Sequence, residues 1–146
     1  MIEDRTTSPA SAAAATAEHV RRLSVLEPGW LDGEGAALPA PWLETKAVEL
    51  AAEVAAGMAP PYVYPTPRGG ILLEWEVGPW AVSAEASPGG ASYALGATYL
   101  GEAHPGDGAF DLDAPGLSAA ELRLSLAALD GARALLGAAY APRARS

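Results

Sequence analysis

Pro65-Thr66-Pro67-Arg68-Gly69-Gly70-Ile71-Leu72-Leu73-Glu74-Trp75-Glu76-Val77 is the stretch whose reading decides the fold. The two prolines hold φ near −65° and push the residue before each of them into extended backbone. Gly69-Gly70 then permits a tight turn that a Cβ would resist. Beyond the turn, Ile71, Leu73, Trp75 and Val77 fall on one side and Leu72, Glu74 and Glu76 on the other, the period of a half-buried strand. Gly78-Pro79 follows, and Trp80 to Ala86 alternates again. With Gly78 and Pro79 as the hairpin loop, Val77 faces Trp80, Trp75 faces Val82 and Leu73 faces Ala84. The other side pairs Glu76 with Ala81, Glu74 with Ser83 and Leu72 with Glu85. Both tryptophans then share one face, and Glu74, Glu76 and Glu85 share the opposite one. A slip of one residue would mix the two sets, so the register is strongly specified.

Outward from the hairpin, Tyr62-Val63-Tyr64 reads as a short strand after Pro60-Pro61. Ser87-Pro88-Gly89-Gly90 has proline and glycine in the central places of a type II turn. Ala91 to Leu100 alternates as a further strand, with Tyr93, Leu95, Ala97 and Tyr99 on one face. Gly101 to Gly116 is acidic and rich in glycine and proline, and reads as a surface loop with a short strand near Phe110. Ser118-Ala119-Ala120-Glu121 is a capping box; the helix it opens carries Leu122, Leu126, Leu129 and Leu136 as its stripe and is expected to run to about Ala139. Upstream, Leu43, Ala47, Leu50 and Val54 form one apolar stripe of a helix prepared by Pro39 and Pro41 and stopped by Gly57. Glu44, Lys46, Glu49 and Glu53 are expected on its other faces, with Glu49 and Glu53 mildly repulsive. An earlier helix spans Ala10 to about Leu26 and ends at Pro28-Gly29. Between the helices runs Gly29-Trp30-Leu31-Asp32-Gly33-Glu34-Gly35-Ala36, a bendable loop with Trp30 as the expected anchor to the core.

These elements predict an α+β fold of two layers, in the order α-α-β-β-β-(β)-α. An antiparallel sheet of three or four strands is covered on one face by helices. Residues 1–9 are expected to be a disordered tail, 10–140 a single domain and 141–146 a loose basic tail. The chain has 146 residues, enough for a core without staples. It carries a formal net charge of −9 and no cysteine. That excludes disulfides and Cys-based zinc sites. A field of this sign repels phosphate backbones, so neither a nucleic-acid partner nor a membrane partner is expected. No stretch has the length of a membrane span and no basic segment precedes the early alanine run, so the cytoplasm is the expected compartment.

Gly29-Trp30, Asp32-Gly33 and Gly35-Ala36, then a helix, then Pro65-Thr66-Pro67, Gly69-Gly70-Ile71 and Leu73-Glu74-Trp75, resemble the pattern of a group of small uncharacterised bacterial proteins. In that group a Gly-Trp-Asp-x-x-Gly-Ala loop is followed by a Pro-Thr-Pro-x-Gly-Gly-Ile-x-Leu-Glu-Trp strand. The match covers about the middle half of the chain. Here Leu31 separates Trp30 from Asp32, one residue more than in the group's loop. The resemblance implies a shared fold unit and supplies no reaction.

The chemistry-bearing residues are few. Asp32, Glu34, Glu74 and Glu76 could together hold a hard cation, which wants several oxygens, and so define one alternative, a carboxylate-dependent metal-binding hydrolase. The Asp32-Gly33-Glu34-Gly35 run does not match an EF-hand loop. His19 and His104 have no nucleophile or orienting partner in sight, and Gly69-Gly70 and Gly89-Gly90 open no helix, so they are turns and not phosphate loops. Tyr62, Tyr64, Trp75 and Trp80 define a second alternative, a small-ligand groove on the sheet. The favoured reading is a non-enzymatic acidic module without cofactor that binds a basic partner protein, as an inhibitor, an immunity or antitoxin-like partner, or an adaptor. Its candidate surface is Glu74, Glu76 and Glu85, and its candidate functional loop carries Trp30, Asp32 and Glu34.

Overall fold

In the computed structural model, which describes residues 8–100 and 111–131, the chain begins with helix α1 (Pro9–Arg22). Ser8 caps it, its hydroxyl accepting from the Ser11 N–H at 3.1 Å, and Pro9 occupies the first turn. The helix therefore starts just inside the stretch expected to be a tail; residues 1–7 and 132–146 lie outside the described residues. A 3₁₀ turn (Leu23–Val25) follows. Helix α2 (Ala40–Ala55) ends in a Schellman arrangement: the Met58 N–H donates to the Glu53 carbonyl at 2.9 Å and the Gly57 N–H to the Val54 carbonyl at 3.1 Å, with Gly57 at φ 121°.

Five strands come next: β1 (Tyr62–Pro65), β2 (Ile71–Val77), β3 (Trp80–Ala86), β4 (Tyr93–Tyr99) and β5 (Asp111–Leu117). They form one antiparallel meander in the order β1-β2-β3-β4-β5. Helix α3 spans 119–131. Its capping box is formed on both sides: the Glu121 N–H donates to the Ser118 hydroxyl at 3.1 Å, and the Ser118 N–H to Glu121 Oε1 at 2.8 Å. The architecture is α+β with a helical layer on one face of the sheet.

The hairpin register is the expected one, with Val77 opposite Trp80, Trp75 opposite Val82 and Glu74 opposite Ser83. Gly78 has φ 59°, which suits the first central position of a II′ turn and the twist of the strands it joins. Ile71, Leu73, Trp75, Trp80, Val82, Ala84 and Ala86 are buried, whereas Glu74, Glu76 and Glu85 are exposed. The α2 stripe of Leu43, Ala47, Leu50 and Val54 is buried as expected, and Leu122, Leu126 and Leu129 of α3 join the same core. Small residues make the contact face of α1: Ala12, Ala13, Thr16, Ala17 and Val20 are buried, and the Thr16 hydroxyl is satisfied by the Ala12 carbonyl at 2.9 Å. Leu23 and Leu26, expected in the stripe, are only half-buried.

The sheet has five strands where three or four were expected. The segment read as a loop up to Gly116 contributes β5, while 101–110, with Phe110 and His104, lies outside the described residues. Pro115-Gly116 looked like a loop signal but is absorbed in a bulge. Tyr93 pairs with Leu117 and Leu95 with Ala114, so two β5 residues stand against one of β4, and Gly116 takes φ 74°. An edge strand tolerates a proline because one side of its backbone needs no ladder partner.

Lys46 requires a correction. It was expected on a wet face of α2, but it is 2% exposed. Its Nζ donates to Glu49 Oε1 at 3.1 Å and to the Ala91 carbonyl at 3.3 Å, and sits 4.4 Å from the centre of the Tyr93 ring. Glu49 and Glu53 are likewise not left to repel each other: Glu49 is taken by Lys46, and Glu53 by Arg123 of α3 at 2.6 Å.

The face assignment predicts unequal costs on neighbouring residues. Trp75→Ala should lose about 3–5 kcal/mol through the cavity and the lost transfer energy. Glu76→Gln should stay within about 0.5 kcal/mol of the parent. Equal urea midpoints for the two variants would contradict the assignment. Gly70→Ala should also destabilise strongly, because a Cβ there would collide with the Ala86 carbonyl oxygen.

Candidate functional site

Among the described residues, no helix covers the second face of the sheet. Register places its residues in rows across the strands. One row runs Tyr62, Glu74, Ser83, Gly96, Asp113. The next on one side runs Tyr64, Leu72, Glu85, Ala94, and on the other side Glu76, Ala81, Thr98. None of these residues is basic. The floor is low, because Ala81, Ser83, Ala94 and Gly96 are small, and taller acidic side chains flank it. Glu74 and Asp113 stand three strands apart, roughly 14 Å at the usual strand spacing. A depression of about 300 Å³ lies on this face, lined by Tyr62, Glu74, Glu76, Ala81, Ser83 and Thr98 among others. The three glutamates singled out from the sequence are thus brought together on one open surface.

The candidate loop is built differently from the expectation. Asp32 at φ 49° and Gly33 at φ 91° are the two central residues of a I′ turn, and Leu31 and Glu34 exchange backbone hydrogen bonds of 2.7 and 2.8 Å. Asp32 thus serves the backbone, as a residue that tolerates positive φ. Residues 29–35 form a miniature hairpin, with the Gly29 N–H donating to the Gly35 carbonyl at 2.8 Å. Trp30 does not pin this loop to the core. It folds over Gly35, where a Cβ would come within 2.9 Å of the indole, and its Nε1 donates to the Ala36 carbonyl at 2.8 Å. The loop is docked through its backbone: the Ala36 N–H donates to the Pro67 carbonyl at 2.8 Å, and Gly69 packs against the Ala37 carbonyl. The side chains of Leu31, Asp32 and Glu34 all point to solvent.

Asp32 and Glu34 are therefore on a loop tip, and Glu74 and Glu76 are on the sheet face. Among the described residues no three His, Asp or Glu side chains come close enough to share an ion. The four aromatic residues are split as well. Trp75 and Trp80 lie in the core, while Tyr62 and Tyr64 are 62% and 44% exposed at the β1 edge. His19 is exposed on α1, near Arg22, Tyr62 and Tyr64 in a shallow cleft. A larger cavity of about 620 Å³ lies between the end of α2, the β2–β3 turn and α3; its one guanidinium, Arg123, is held by Glu53. Among the described residues no helix is long and apolar enough to cross a membrane.

Sequence reasoning missed the polar cluster of Lys46, Glu49 and Tyr93. Tyr93 is fully buried, and its hydroxyl donates to Glu49 Oε1 at 2.7 Å. Trp42 adds a bond from Nε1 to the Gly90 carbonyl at 2.9 Å, so α2 holds the β3–β4 connection at two carbonyls, Gly90 and Ala91. The signal was present as a charged residue beside an apolar stripe, but its meaning depended on the strand it faces. The cluster braces the sheet and opens to solvent only at Glu49.

No family model matches this chain, and no curated protein or solved structure matches it either.

Burial, and next the bond to Glu49, push the Tyr93 hydroxyl well above the ordinary tyrosine range. The folded chain then keeps a proton that the unfolded chain releases near pH 10. The stability linked to Tyr93 is complete below about pH 10 and falls as pH rises beyond it, by up to about 1.4 kcal/mol per pH unit. Urea melts between pH 9 and 11.5 should show a shallower decline for Tyr93→Phe than for the parent; parallel declines would contradict this.

Proposed function

We propose that this chain is a non-enzymatic protein-binding module that meets a basic partner through the open face of its sheet. The observation that carries the proposal is the composition of that face: Glu74, Glu76, Glu85 and Asp113 around a floor of small residues, with no basic residue in any row. A surface of one sign speeds encounter with a partner of the other sign and sets its orientation. The roles that fit are inhibitor, immunity or antitoxin-like partner, and adaptor, in the cytoplasm.

We also propose kinship with the group of small bacterial proteins that the loop and strand pattern resembles. What supports it is that the two motifs form one unit, joined by the bond from the Ala36 N–H to the Pro67 carbonyl and the contact of Gly69 with Ala37.

The test starts with affinity capture from the native host and identification of the partner by mass spectrometry. Association is then measured for the parent and for the triple variant Glu74→Gln, Glu76→Gln, Glu85→Gln. At low salt the variant should associate roughly tenfold more slowly or worse, with its circular dichroism unchanged. The difference should shrink at about 1 M salt, where the screening length is roughly 3 Å. Undiminished capture at an unchanged on-rate would remove the acidic face from consideration.

A further inference from the structure

We infer that Gly96 is the seat of an arginine side chain of the partner, placed between Asp113 and Ser83; the inference rests on the reading of the open face given above. Among the described residues two glycines lie inside strands. Gly116 is required by the bulge, at φ 74°. Nothing among the described residues requires a glycine at position 96. Its φ is not positive, and a Cβ built on it would meet Asp113 Oδ1 at 3.6 Å and Ser83 Oγ at 3.7 Å, which are ordinary contacts. Gly70 shows what necessity looks like, since a Cβ there would strike the Ala86 carbonyl. A glycine inside a strand weakens it through backbone entropy and lost packing. Where the fold does not ask for one, the bare peptide suits close approach by another group.

The surroundings specify that group. Gly96 stands between Ser83 and Asp113 in the row that starts at Tyr62, with Ala94 two residues before it on β4 and Ala81 at a diagonal position on β3. Two acceptors, the Asp113 carboxylate and the Ser83 hydroxyl, flank the space a Cβ would fill. Glu74 is two strands away in the same row, and Glu85 and Glu76 lie in the rows on either side. The occupant must be a cation with more than one donor. A guanidinium is flat, lies against a peptide plane, and donates in a fork that matches a carboxylate and a second acceptor at once. A lysine ammonium is compact and strongly hydrated and uses a flat floor less well.

The experiment is an NMR titration of the full chain with an arginine hexapeptide and, separately, a lysine hexapeptide. The arginine peptide should bind about tenfold more tightly, the difference made by one charge-assisted hydrogen bond. Its amide shifts should centre on Ser83, Gly96 and Asp113. Gly96→Ala should melt at the same temperature as the parent or higher, yet lose the preference for arginine; Asp113→Asn should lose it too without adding bulk. If both peptides bind equally and Gly96→Ala changes nothing, while the triple glutamine variant weakens both, the seat is wrong and the acidic face stands. If neither peptide shifts the open face, or the triple variant binds as well as the parent, both readings fall.

Discussion

The pairing of Trp75 with Val82 decides which side of this sheet is dry. Because side chains alternate along a strand, one register commits every residue of β2 and β3 at once. In this register Ile71, Leu73, Trp75, Trp80, Val82, Ala84 and Ala86 make a continuous floor for α2 and α3. The same commitment sends Glu74, Glu76 and Glu85 to the other side. A shift by one residue would mix the two sets and turn the carboxylates of one strand under the helices, where unpaired charge is far costlier than lost contacts. The acidic face is the counterpart of the core, fixed by the same pairing.

Three of the four tryptophans do a second job. Each donates its indole N–H to a loop carbonyl: Trp30 to Ala36, Trp42 to Gly90 and Trp75 to Ala59. An indole can bury a large apolar body and still satisfy one polar group at its edge. Here those edges fix the loop before α2, the β3–β4 connection and the segment between α2 and β1. Trp80 is the exception; it is packed edge-on against Tyr99, and its buried Nε1 has no hydrogen-bond partner among the described residues. With alanine so common in the helices, these bonds take over positioning that larger aliphatic side chains would otherwise supply. The turn from Thr66 to Gly70 works the same way through short bonds. Thr66 Oγ1 accepts from the Gly70 N–H and the Thr66 N–H donates to the Gly70 carbonyl, both at 2.9 Å.

What the sequence shows well is whatever depends on neighbours along the chain. The hairpin from Ile71 to Ala86, the α2 stripe and the Ser118–Glu121 capping box are local patterns with one physical solution each. What it hides depends on partners far along the chain. Lys46 looks wet until Tyr93 and the Ala91 carbonyl are placed opposite it. Trp30 looks like a core anchor until Gly35 offers it a flat surface nearer by. Pro115-Gly116 ends a strand in most settings, yet at a sheet edge it only bends one. The candidate surface was legible for Glu74, Glu76 and Glu85 because they share the hairpin. Asp113 and Gly96 were not, because their place in the same row requires the β4–β5 pairing, and the segment that contains β5 reads as a loop.

The placement of the charges bears on whether the open face serves the proposed recognition or simple protection. Sheets guard themselves against pairing with other chains chiefly at their edges, with prolines, bulges and charge. Both edges here are already guarded in that way, β1 by Pro60, Pro61 and Pro65, and β5 by Pro115 and the bulge at Gly116. The three glutamates are not on those edges. They stand on β2 and β3, the second and third strands of the sheet; Glu74 and Glu85 have a strand partner on each side, while Glu76 lies beyond the end of β1. Solubility alone would be met by charges of both signs interspersed. A single sign gathered over the inner strands, above a floor kept low by alanine, serine and glycine, has a shape as well as a charge. Shape adds nothing to staying dissolved, and it is this feature that supports the proposed docking of a partner of complementary form.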